Sequence, residues 1–141
     1  MIHLQRYIPH GNVGNYWYGG DMEALERAVK LCPKTVFIGH AQSFWAEISG
    51  DGKAATELHP IGKIQSDGKL IGLLERYPNL YCDISAESGR VALSRDSEFT
   101  VGFLKRYANR ILFARDNLKN EHRELLLSYD LPKDVIDKIF Y

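Results

Sequence analysis

Five residues of this sequence have types that do chemistry together, and each closes a short apolar run. His3 sits in "MIHLQ", His40 in "TVFIGHA", Asp83 in "NLYCDIS", and Arg115 with Asp116 in "RILFARDN". Neutral imidazole and carboxylate form a donor set suited to zinc, iron(II) or manganese. The same groups accept a proton from a reacting water. A polar residue at a strand end also has a plain structural use, as a cap or a contact with water. The functional reading rests on His3, His40 and Asp116 acting together rather than on any one of them.

Three similar segments position these residues: "ALERAVKLCPKTVFIGHA", "LIGLLERYPNLYCDISA" and "FTVGFLKRYANRILFARD". Each opens on a helical stripe: Met22, Leu25, Val29 and Cys32, then Leu70, Leu73, Leu74 and Tyr77, then Phe99, Phe103 and Tyr107. Pro33, Pro78 and Asn109 end the three stripes. The β-rich run that follows is continuous rather than alternating, the pattern of a strand buried on both faces. Four strands are expected, at Ile2–Leu4, Thr35–Gly39, Leu80–Ile84 and Ile111–Ala114. Helices are expected at Met22–Leu31, Ser43–Ile48, Lys69–Tyr77, Glu98–Tyr107 and Glu121–Ser128, with a last one opening on Pro132. Asp21 and Ser97 are the expected N-caps. Helices alternating with buried strands imply an α/β fold with a parallel sheet and right-handed crossovers, in one domain spanning 1–141. The long loops 6–20 and 49–68 follow strand ends, where such folds place binding and chemistry.

Composition excludes several classes. The 141 residues are 45% hydrophobic and 26% charged, and 18 basic residues balance 18 acidic ones. With no basic run, a nucleic-acid partner is not expected. No apolar stretch is long enough for a bilayer and no signal-peptide pattern opens the chain, so no membrane role is expected either. Cys32 and Cys82 are taken as reduced core residues, which places the chain in a reducing cytoplasm. The glycines around "SGDG" do not form a phosphate loop.

"TVFIGHAQSFWAEIS", "LLERYPNLYCDISAESGRVALSRD" and "RILFARDN", in this order, resemble the C-terminal half of the amidohydrolase superfamily. The likeness is to the amidohydrolase-related branch that includes aminocarboxymuconate semialdehyde decarboxylase-like enzymes, and it covers nearly the whole chain. It implies strands five to eight of a parallel (β/α) TIM barrel, a half-barrel with helices on the outer face. It also implies a divalent metal, zinc first, with manganese or iron as alternatives. Carried over, His3 is the fifth-strand metal ligand, His40 the sixth-strand histidine and Asp116 the eighth-strand aspartate. His40 and Asp116 are then catalytic, and the metal draws on His3, Asp116 and His40. The implied reaction is hydrolysis of a C–N or C–O bond, or decarboxylation, of a small molecule. Trp17, Phe44, Trp45 and Arg115 are the candidate substrate-pocket residues. Where the family often has Gly-Thr before its aspartate, this chain has Ala114-Arg115.

The HxH pair that the family carries on its first strand is absent: the histidines are His3, His10, His40, His59 and His122. The first four barrel strands have no counterpart in these residues. Catalytic zinc typically has three protein ligands, so activity of the chain alone is not expected. The sheet edges require either self-association or a complementing N-terminal half-barrel. A catalytically silent half-barrel is the alternative reading. His10 and His59 are taken as solvated loop residues and His122 as a surface residue. Glu87 and Arg90 either contact substrate or decorate a helix.

Overall fold

The computed structural model describes residues 1–4, 20–66, 68–116 and 121–141. Among these are seven α-helices and a four-stranded parallel sheet. The strands are β1 (Ile2–His3), β2 (Phe37–His40), β3 (Leu80–Asp83) and β4 (Ile111–Leu112), and their spatial order is their chain order. All three pairings are parallel. The helices are α1 (Met22–Leu31), α2 (Gln42–Ala46), α3 (Lys69–Arg76), α4 (Glu87–Ser94), α5 (Ser97–Tyr107), α6 (Glu121–Ser128) and α7 (Lys133–Phe140). None of the described helices is long and apolar enough to cross a membrane.

Several helices are written in their end residues. The Asp21 side chain accepts from the Ala24 N–H at 2.7 Å and caps α1, whose stripe Met22, Leu25 and Val29 is buried. Cys32 departs from the expected stripe. It is the C-cap, its backbone has left the helix, and it is exposed. Cys82 is buried as expected. The cap of α5 is Asp96 rather than Ser97: its carboxylate accepts from Phe99 N–H at 3.1 Å. Pro132 is the N-cap of α7, one place before the first turn. Helix α2 is shorter than expected and starts one residue earlier, while β2 reaches His40 and leaves Thr35 and Val36 outside the ladder. Of the segment 111–114, only Ile111 and Leu112 join the ladder.

The sheet has two unlike faces. Register aligns Ile2, Gly39, Cys82 and Ile111 in one row across all four strands. Gly39, Cys82 and Ile111 are buried, as are Leu80, Leu4 and Ile84 on the same side. Because strand order never reverses, right-handed crossovers all return over this face, and it carries the core with Leu25, Val29, Phe44, Trp45, Leu70 and Leu104. Fully burying such side chains stabilises by about 1.5–3 kcal/mol each. The next row belongs to the other face: His3 pairs with His40, and Asp83 with Leu112. That face also carries Ile38 and Tyr81, which are half-buried, while Val36 is 58% exposed and Leu112 38%. Parallel pairing thus brings His3, His40 and Asp83 side by side at the C-terminal rim of the more open face.

Candidate functional site

His3, His40 and Asp83 are each held by the strand they end. His3 and His40 are register partners on adjacent strands, with ring centroids 5.2 Å apart. His40 Nδ1 lies 2.8 Å from Asp83 Oδ2, and both residues are buried. Asp83 Oδ1 accepts from Ser85 N–H at 2.8 Å, and Oδ2 also accepts from the Ser85 hydroxyl at 2.8 Å. A carboxylate so placed is an acceptor, so Nδ1 carries a hydrogen, and in the neutral ring Nε2 then holds the lone pair. Trp45 Nε1 donates to the Asp83 carbonyl at 2.9 Å and fixes the end of β3 from the core side. The Ser85 carbonyl accepts from Asp116 N–H at 3.1 Å, tying the turn after β4 to the same knot.

A cleft of about 310 Å³ opens over this rim, lined by His3, His40, His59, Glu87, Ser88 and Asp116 among others. His3 is pushed below the ordinary histidine range, first by burial and then by the nearby His40; Asp116 partly opposes this. A neutral imidazole results, the form that accepts a proton or binds a metal. Arg90 grips the Glu87 carboxylate through Nε and Nη2 and holds its carboxyl below the ordinary range. A larger groove of about 470 Å³ runs between α3 and α5, lined by Ile71, Phe99 and Arg106, and carries no imidazole.

The structure therefore gathers His3, His40 and Asp116 around one cleft. The donor types suit a divalent metal, but the set does not fit as a complete site: among the described residues, no group of three His, Cys, Asp or Glu side chains converges to hold an ion. Phe44 and Trp45 are corrected. They are 0% and 1% exposed and pack edge-to-face in the core, not at a pocket mouth. Gly39 explains this, since a Cβ there would lie 2.0 Å from the Phe44 ring, and its absence lets that ring tuck beneath β2. Trp17 and His10 lie outside the described residues. Arg115 is exposed beside Asp116. His59 is not a solvated loop residue, because it lines the cleft with Nδ1 buried. His122 is not on the surface either: it is 3% exposed, and Nε2 bonds the Ala86 carbonyl at 2.8 Å. Asp83 is the partner of His40, and the sequence marks it only by its place at a strand end.

No family model, no curated protein and no solved structure matches this chain.

Proposed function

We propose that the chain supplies half of a metal-dependent hydrolase site of the amidohydrolase kind. In this reading its four strands are strands five to eight of a (β/α) barrel, with the helices outside and the more open sheet face turned inward. The observation that carries it is the shared rim: His3 and His40 at the ends of β1 and β2, and Asp116 in the turn after β4, line one cleft, and Asp83 orients His40. Substrates of this class are small molecules cleaved at a C–N or C–O bond, or decarboxylated. A bound divalent ion, zinc above all, supplies Lewis acidity and an acidified water in such enzymes.

The chain's own residues support proton handling. With Nδ1 donating to Asp83, His40 offers Nε2 as an acceptor, and the 2.8 Å bond steadies the imidazolium that forms when the proton arrives. Burial of Asp83 and His40 keeps that pair short of competing water. Neutral His3 adds a second acceptor, and Asp116 adds a carboxylate at the exposed edge. Because three ligands do not converge among the described residues, the remaining donors are assigned to a complementing half-barrel or to a second copy of the chain.

The test is reconstitution. Purified chain is mixed with an HxH-bearing half-barrel, and bound zinc and hydrolysis of small amides and esters are measured. Zinc near one per complex, lost in His3→Ala and Asp116→Ala, is expected. A stable complex with no stoichiometric divalent metal sinks the reading.

One observation favours a second reading, a silent half-barrel acting through association. Val36 and Leu112 expose apolar surface on the same sheet face. Sedimentation tests this reading: a compact monomer at micromolar concentration that binds no apolar dye counts against association.

A further inference from the structure

The N-terminus of α4 differs from those of α1 and α5. Asp21 and Asp96 cap those helices with carboxylates, whereas Ala86, the N-cap of α4, offers no side-chain bond. The Ala86 carbonyl already accepts from Gly89 N–H at 3.0 Å and Arg90 N–H at 3.3 Å. Among the described residues, the Glu87 and Ser88 N–H groups of this turn have no backbone acceptor. Ser88 is 5% exposed, it lines the cleft, and its hydroxyl has no hydrogen-bond partner among the described residues. His59 lines the same wall, and its buried Nδ1 is likewise without a partner there. A buried hydroxyl without a partner costs about 1–3 kcal/mol, so this wall lacks an acceptor.

The wall is firmly placed. His122 Nε2 donates to the Ala86 carbonyl at 2.8 Å. Gly89 lets the turn press on β3 and the core, since a Cβ there would sit 3.0 Å from Ile84 Cα and 3.2 Å from Trp45 Nε1. Two N–H groups and a hydroxyl at the positive end of a helix dipole match the oxygens of an oxyanion. The Glu87 carboxylate is already engaged by Arg90, so its charge is compensated.

We propose that the Ala86–Ser88 turn is a carboxylate-binding subsite, with the Glu87 and Ser88 N–H groups and the Ser88 hydroxyl as donors. A monovalent carboxylate fits better than phosphate, because Asp116 shares the cleft and repels a higher charge. The subsite then specifies the substrate class as a small carboxylic acid anchored in the cleft that His40 also lines. As a substrate handle it rests on the hydrolase reading; as an anion site it does not.

The experiment is an amide-shift titration of the ¹⁵N-labelled 141-residue chain, freed of metal by chelator, with propionate and separately with inorganic phosphate. Saturable shifts centred on Glu87 and Ser88 are expected with propionate. Ser88→Ala should weaken binding about tenfold, the loss of one hydrogen bond to a charged group. Ala86→Asp places a carboxylate in the subsite and should abolish binding while stabilising the helix. His3→Ala should leave propionate binding intact, which separates this subsite from the metal reading. Absence of saturable shifts at Glu87 and Ser88 overturns the proposal, as does equal affinity in both α4 variants. Tighter binding of phosphate at the same amides overturns the carboxylate assignment.

Discussion

Asp83→Asn is the sharpest perturbation of the rim, because it changes one oxygen to a donor and keeps the volume. Asp83 accepts three hydrogen bonds, each at 2.8 Å, from His40 Nδ1, Ser85 N–H and the Ser85 hydroxyl. In the variant, the amide oxygen can keep the Ser85 N–H. The new NH₂ then faces both the hydroxyl and the imidazole. The hydroxyl can rotate to accept, but the imidazole can accept only by moving its hydrogen from Nδ1 to Nε2. Bonds to a charged group contribute about 1.5–3 kcal/mol each. With partial re-pairing, the expected loss is about 2 kcal/mol. Asp83→Ala orphans three donors at a buried site and should cost about 4 kcal/mol. Long-range ¹H–¹⁵N spectra of the His40 ring report the tautomer, and urea unfolding reports the loss. An Nδ1–H tautomer persisting in Asp83→Asn, with stability changed by less than about 0.5 kcal/mol, refutes the claim that Asp83 orients His40.

Three further outcomes follow from the backbone and the loops. Ala41, the residue after His40, has φ 78 and ψ 179, a region that essentially only glycine occupies; Ala41→Gly should stabilise by about 1 kcal/mol and raise the thermal midpoint by about 3 °C. Gly39→Ala would put a Cβ 2.0 Å from the Phe44 ring, so thermal unfolding should show a loss of about 3 kcal/mol or failure to fold. Burial raises the Asp51 carboxyl, but Arg95 and the Lys53 N–H outweigh it and hold it below its ordinary value. Its folded pKa is therefore lower than its unfolded one. The stability it gives is present above the unfolded value of about 3.9 and disappears as pH falls through the folded value. Asp51→Asn should flatten that acid limb in unfolding measured against pH, and should cost about 3 kcal/mol by leaving buried Arg95 without its ion partner.

Much of the frame was legible because periodicity reports burial. The stripe Met22, Leu25 and Val29 gave α1, and the runs ending at His40 and Asp83 gave two strands in the right order. Helix α4 is hard to read because "ESGRVALS" follows its first glutamate with serine and glycine, weak helix formers whose value here lies in packing. Gly89 admits Trp45, a contact that sequence spacing does not report. The core positions of Phe44 and Trp45 are hidden for a related reason: adjacency to a strand end does not say which side of the sheet a ring takes. The signal was Gly39, whose missing side chain makes the hole that Phe44 fills. His122 could have been placed, since it stands four residues before Leu126 and both are buried on the same face of α6. The His40–Asp83 bond could not, because it joins residues 43 apart and depends on strand register.

Cobalt(II) provides the most direct measurement of the central claim, as a paramagnetic ion that shares zinc's taste for imidazole and carboxylate. Added to the ¹⁵N-labelled chain, it broadens amides by distance. The account predicts broadening centred on His3, His40 and Asp116, weakly bound because the ligand set is incomplete, and lost in His3→Ala and Asp116→Ala. Broadening centred on other carboxylates, or unchanged in both variants, would contradict it.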